Sequence, residues 1–369
     1  MILVNHHRYL AEASDSEGRR LGDLMLNPDF APAAEWAHLQ AVRNDAVAAS
    51  AHYGPGTIEP VIDEVLGPPF VCGIRIRFDA QDPAYQGAII HWRFFQPSVE
   101  ESAARLVRNG ALRAGETFRH RVYILPQTEN DPVPTAGTDV ESEETVPLKL
   151  KRAAIVRRLD GAGRLCPAAW NDLDFPLFVK PEVLAEATAL AQSAGEWEIG
   201  GILVGYLHRD TDSPEVYAEI TAQIPAALAD AGHTYLGFTP QAWAAVSDAL
   251  ALRDLQEIIL GWWHYHPFFC RHCDLARRHH CLLSRPFFSR DDQELHRVVF
   301  DTAFSVALLL SDIGEASLCC DWFGWRCGAV ETRGCYLLNE YHSNPDDHPT
   351  ESHSTATHTA NAREHPHEQ

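Results

Sequence analysis

The sequence predicts an α+β protein with a separate N-terminal α+β domain, a C-terminal mixed sheet flanked by helices, and a disordered tail. Three observations predict it. The chain has 369 residues, 46% of them hydrophobic, which is material for about two domains of roughly 150 residues each. Segments alternating apolar and polar residues at period two are interleaved with segments that read as helices. Two stretches, 126–147 and 339–369, hold too little aliphatic content to pack a core.

The N-terminal domain spans 1–125. Its first 65 or so residues read as more helical and less regular. Ile74, Ile76 and Phe78 alternate with Arg75 and Arg77, the pattern of a half-buried strand. Ile90, Trp92 and Phe94 predict a second strand. A helix is expected after Pro97, from Ser98 to Asn109. Phe118 to Leu125 predicts a third strand, with Phe118, His120, Val122 and Ile124 on one face. The order strand, strand, helix, strand fits a β-grasp or another small binding module. Residues 126–147 hold six acidic residues, four prolines and no basic residue, and are expected to be a linker.

The second domain is expected over 148–338. A helix is predicted from Pro181 to about Ser193, then strands at 199–208 and 216–225. Thr239 caps a helix with Pro240 at its first position. A strand at 257–267 leads into a Cys/His-rich insertion. Ser289 opens a helix to about Phe300. Ala303 to Leu310 is an apolar strand, and a Trp/Gly-rich hairpin ends near Val330. The tail, 339–369, carries six scattered histidines and is expected to be disordered.

Charge and hydropathy exclude two partner classes as defaults. The formal charge is −21, whereas duplex binding needs a basic face. No apolar run approaches the ~20 residues of a membrane span. The first residues lack the charged-then-apolar layout of a signal peptide, so a cytoplasmic location is expected.

Three local patterns carry chemistry. His264 and His266 stand at i and i+2 on a strand, so both side chains point to one face, and Pro267 stops the strand beside them. Two imidazoles placed this way can converge on one metal ion, although such pairs also occur as ordinary core or surface residues. Ser289 and Asp292 have the spacing of a helix capping box; Asp292 can also serve as an oxygen ligand, with Asp291 its neighbouring rival. Glu198 precedes the glycines Gly200, Gly201 and Gly205. It is a surface charge or a general base, and Glu196 is its rival.

Taken in order, Glu-x-x-Gly-x-Leu-x-Gly, His-x-His-Pro and Ser-x-x-Asp resemble the JAMM (MPN-plus) zinc metalloproteases. The resemblance covers roughly residues 174–332. It implies a JAMM/MPN-like fold for the C-terminal domain, zinc as cofactor, and isopeptidase action on ubiquitin or ubiquitin-like proteins. It implies that His264, His266 and Asp292 hold zinc, that Glu198 is the general base, and that Ser289 steadies the oxyanion. The spacings favour Asp292 over Asp291 and Glu198 over Glu196. Tyr265 stands where the family has Ser or Thr, a change expected to alter packing. The family has seven residues between the second His and the Ser, where this chain has 22.

The chain has nine cysteines, an odd number that argues against a full disulfide framework. The insertion holds Cys270-x-x-Cys273, then His279, His280 and Cys281. Cys-x-x-Cys is half of a structural zinc site, so Cys270 and Cys273 with His279 or His280 and Cys281 could hold a second, structural zinc; buried or unpaired thiols are the competing reading. Cys319, Cys320 or Cys327 could complete it instead. Three functions compete. The first is a zinc isopeptidase for a ubiquitin-like protein or its conjugates. The second is a processing peptidase for a sulfur-carrier protein. The third is a non-catalytic, zinc-stabilised adaptor that binds ubiquitin-like proteins.

Overall fold

A computed structural model describes residues 3–5, 7–49, 56–64, 68–78, 84–125, 148–160, 162–165, 171–226, 230–231, 236–268, 286–314 and 317–338. The expected linker, the expected tail and the insertion cysteines lie outside these residues. The described chain is α+β, built on two large sheets.

The N-terminal sheet has seven strands. In chain order its elements are β1 (Leu3–Asn5), β2 (Arg8–Ser14), β3 (Arg20–Leu26), α1 (Ala31–Arg43), β4 (Gly56–Asp63), β5 (Phe70–Arg77), β6 (Ala88–His91), α2 (Gln96–Arg108) and β7 (Arg119–Leu125). The spatial order is β1-β4-β5-β7-β2-β3, with β6 also on β5. The opening residues therefore hold four strands and one helix, which corrects the expectation that they are more helical. The β2–β3 hairpin turns where the Asp15 carboxylate accepts from the amides of Glu17 and Arg19 at 2.9 and 2.8 Å. The expected strand through Trp92 and Phe94 ends at His91; Trp92–Phe95 is a 3-10 turn leading into α2.

The second sheet has ten strands. Its unit runs through β8 (Leu150–Arg152), α3 (Ile155–Leu159), β9 (Gly163–Leu165), β10 (Leu177–Val179), α4 (Pro181–Ala194), β11 (Gly200–Arg209) and β12 (Val216–Pro225). A small hairpin follows, β13 (Asp230–Ala231) and β14 (Leu236–Gly237), then α5 (Pro240–Arg253), β15 (Ile258–His266), α6 (Arg290–Val299), β16 (Val306–Ser311), β17 (Cys319–Arg326), β18 (Ala329–Arg333) and β19 (Cys335–Leu337). The order is β18-β17-β16-β15-β11-β12-β10-β19-β9, with β8 beside the far end of β11. The sheet is mixed: β15 runs antiparallel to β11 and parallel to β16. The closing hairpin extends beyond Val330 to Arg333.

Helices cover both faces of this sheet. Val183, Ala187 and Ala191 of α4 pack into one core together with Trp263, Leu308 and Leu310. Val246 of α5 and Phe300 after α6 pack into a second core with Trp262, Ala307 and Leu309. Alternation along β15 thus divides its side chains between two cores. Thr239 caps α5, its hydroxyl accepting from the Ala242 amide at 3.1 Å. Gly205 lies where a Cβ would stand 1.9 Å from the Glu219 carbonyl oxygen, so only glycine permits this strand approach.

The ladder between β11 and β15 slips once. Leu203 pairs with Gly261 while Val204 pairs with Ile259, so β15 carries one extra residue, Leu260. That is a β-bulge.

The two units share a core. α1 packs against β5 and β6 of its own sheet and against β17 of the other. Arg43 of α1 makes a forked pair with Glu215 at 2.6 and 3.0 Å and donates to the Leu173 carbonyl at 2.9 Å. No helix of the described residues is long and apolar enough to cross a membrane.

Candidate metal centre

Strand β15 ends at the centre. Its pairing with Leu309 and Ser311 of β16 fixes His264 and His266 on one face. Both are buried, at 0% and 4% exposure. Their Nε2 atoms lie 3.1 Å apart. At that distance the two nitrogens cannot both carry a proton toward each other.

Helix α6 brings the third group. Ser289 and Asp292 form a full capping box. The Ser289 amide donates to Asp292 Oδ2 at 2.7 Å, and the Asp292 amide donates to Ser289 Oγ at 3.0 Å. The other oxygen, Oδ1, stands 3.2 Å from His264 Nε2, while Oδ2 is 3.5 Å from His266 Nε2. Burial pushes the Asp292 carboxyl up. The imidazoles of His264 and His266 outweigh burial through their charge and hydrogen bonds, and hold it well below the usual carboxylate range.

The ligand atoms of His264, His266 and Asp292 all lie within 4.8 Å of one another. A tetrahedral site with ligand bonds of ~2.0–2.1 Å has edges of about 3.3 Å. The 3.1 Å between the two Nε2 atoms is close to that edge, and the carboxylate faces them with Oδ1 at 3.2 Å from His264 and Oδ2 at 3.5 Å from His266. The group is buried, two of its members are imidazoles and the third is an ionised carboxylate. This donor set could hold a metal ion and leaves a coordination position open.

Glu198 sits just before β11, whose first residue, Gly200, pairs with His264. Its side chain is 4% exposed, and Oε1 is 4.0 Å from His266 Nε2. That is beyond ligand distance and within reach of a bridging water. Burial pushes its carboxyl up to about 7; His266 opposes this, while Asp292 and Asp291 add to it. Both rivals, Glu196 and Asp291, are exposed. Ser289 is half-buried. Its oxygen accepts within the capping box, which leaves the hydroxyl proton available to a ligand. Tyr265 lies in the opposite core at 3% exposure, and its hydroxyl donates to the Gly195 carbonyl at 3.4 Å.

An aromatic shell backs the centre. The Trp262 ring stacks on His264 at 4.5 Å and 14°. Phe287 lies 5.0 Å from His266. The Trp262 indole nitrogen donates to Nδ1 of His296 at 3.1 Å. Sequence reading missed Trp262 and His296. The signal was present: Trp262 is two residues before the first histidine on the same strand face, and His296 is one helical turn after Asp292.

The candidate second zinc on Cys270, Cys273, His279 and Cys281 lies outside the described residues. Cys319 and Cys320 open β17, and Cys327 lies buried in the turn after it. Among the described residues, His264, His266 and Asp292 form the metal-type cluster.

No family model matches the chain, and no curated protein matches it. Among solved structures it is similar to the solution structure of protein DSY2949 from Desulfitobacterium hafniense. The identity is 20% and the TM-score 0.32, over 46% of this chain and 99% of that one.

Proposed function

We propose that the chain is a zinc-dependent isopeptidase or peptidase that cleaves after the C-terminal tail of a ubiquitin-like protein. The observation that carries this reading is the buried ligand triangle of His264, His266 and Asp292, one ligand atom from each within 4.8 Å of the others, with Glu198 Oε1 held 4.0 Å from His266. Two imidazoles and one carboxylate with an open fourth position are the donor set of a hydrolytic zinc site. The ubiquitin-like substrate rests on the motif order Glu198, His264-x-His266-Pro267, Ser289-x-x-Asp292.

His264, His266 and Asp292 would hold a zinc ion, with Asp292 fixed by the Ser289 amide; when bound it would supply a Lewis acid and make a water more acidic. Glu198 takes the proton of the attacking water and passes it to the departing amine. Its buried carboxyl suits that exchange near neutral pH, and a cation beside it draws its pKa below the metal-free value. Ser289 donates its hydroxyl proton to the carbonyl oxygen as charge gathers there.

The test is Glu198→Gln, with zinc content by elemental mass spectrometry and cleavage of a panel of ubiquitin-like fusions, sulfur-carrier tails included. The expected result is one bound zinc in this triangle, lost in His264→Ala, and cleavage reduced about 10²–10⁴-fold by Glu198→Gln with zinc retained. Zinc bound without cleavage of any tail supports an adaptor instead. Zinc content unchanged by His264→Ala overturns the reading.

A further inference from the structure

We infer that His296 is a positioning residue for the metal centre, acting through Trp262. This rests on the proposed reading of the centre as a zinc site. The two ligand-bearing elements are distant in sequence. β15 carries His264 and His266; α6 carries Asp292. The bond from Trp262 Nε1 to His296 Nδ1, 3.1 Å long, joins that strand to that helix.

The geometry leaves little slack. Indole nitrogen can only donate, so Nδ1 of His296 is the acceptor and a neutral ring carries its proton on Nε2. Both residues are fully buried, at 0% exposure. Trp262 is clamped between His264, at 4.5 Å and 14°, and Phe300, at 5.8 Å and 10°. Phe300 is pinned in turn, its carbonyl accepting from Trp325 Nε1 at 2.8 Å. The indole cannot turn without moving the His264 ring or the end of α6. The contact therefore sets both the plane of one ligand and the height of the helix that carries another.

The pair is costly as packing. Nε2 of His296 is buried with no hydrogen-bond partner among the described residues, and burial pushes the imidazole down to about 3. A leucine or phenylalanine would fill the space without an orphaned nitrogen. What the polar pair adds is direction. A partner outside the ligand set that orients a metal ligand typically governs affinity by 10–100-fold.

The test uses the full chain, with Co²⁺ and Zn²⁺ as probes. Cobalt on cysteine thiolates carries an intense near-ultraviolet charge-transfer band that a two-imidazole, one-carboxylate centre lacks, so uptake at this centre is read separately. His296→Leu removes the acceptor. Trp262→Phe keeps the ring stack and removes the donor. His296→Asn restores an acceptor near Nδ1. We expect metal affinity to fall about 10–100-fold in the first two, to combine non-additively in the double variant, and to recover in His296→Asn. Melting of the metal-free proteins identifies a variant that fails to fold, in which case Trp262→Phe decides. A merely structural role would lower the metal-free melting temperature and leave the affinity of folded protein unchanged. Wild-type uptake with all variants within about twofold of it overturns the positioning role and leaves the zinc reading intact. A wild-type chain that takes up no metal at this centre overturns both.

Discussion

Ser289 and Asp292 hold each other reciprocally, amide to carboxylate at 2.7 Å and amide to hydroxyl at 3.0 Å, and the same carboxylate faces both histidines. One side chain thus starts a helix and completes a ligand triangle. The two duties separate by substitution. In Asp292→Asn the side-chain oxygen still accepts from Ser289, while the amide nitrogen turned to the histidines cannot ligate. We expect metal affinity to fall by roughly two orders of magnitude, with little change in metal-free stability. Ser289→Ala should do the reverse, losing about 1 kcal/mol of stability while keeping the metal. Metal titration and urea unfolding on both variants check this.

Two buried histidines predict an acid-sensitive fold. Burial pushes His296 down to about 3 and His38 down to about 4. Unfolded, each titrates near 6.5. Between those values the unfolded chain binds a proton that the folded chain does not, so stability rises with pH and is lost as pH falls below about 6.5. The slope is about 1.4 kcal/mol per pH unit for each histidine. Urea midpoints of metal-free protein from pH 7.5 to 4.5 should show it, and His38→Leu should remove one proton's worth of slope.

The β17–β18 turn seats on the N-terminal unit. Gly328 has φ +73°, and a Cβ there would stand 2.8 Å from backbone atoms of Ala33 in α1. Gly18 has a similar φ, +85°, with nothing within 4 Å. Gly18→Ala should therefore cost about 1 kcal/mol from left-handed strain alone. Gly328→Ala should cost at least twice as much, because α1 must shift. Equal losses in urea unfolding would show that the turn does not press on α1.

Another tie between the units is Arg43 with Glu215, at 2.6 and 3.0 Å. The arginine side chain is 9% exposed and the carboxylate 29%. Arg43→Ala takes the guanidinium away from a partly buried carboxylate and from the Leu173 and Asp174 carbonyls. We expect a loss of about 3 kcal/mol, measured by urea unfolding. Arg43→Lys should recover only part of it, because an ammonium cannot make the fork.

The parts of the fold legible in the sequence were those with local signals. Thr239-Pro240 and Ser289-x-x-Asp292 announced their helices by capping chemistry. β11, β12 and β15 announced themselves by long apolar runs. The three-residue strands β8, β9, β10 and β19 had no local signature, since their pairing is supplied by neighbours such as Ala218 opposite Leu177. The opening strands were obscured by the many alanines and by Pro60 inside β4. At the centre, residue types and spacing named the ligands. They could not say that Glu196 and Asp291 are exposed, nor that His296 reaches back to Trp262, because both facts depend on the angle between α6 and the sheet.

The slip at Leu260 lets β15 carry one residue more than its partner without changing which way the ligands face. Leu203 stands opposite Gly261 and Val204 opposite Ile259, so the residues on either side keep the pairs of an unbroken ladder. Deleting Leu260 would join Ile259 to Gly261 and restore that ladder, with Gly200 still opposite His264 and both histidines still turned toward Asp292. The metal site is therefore insulated from a change in length at this one position of the strand that carries it.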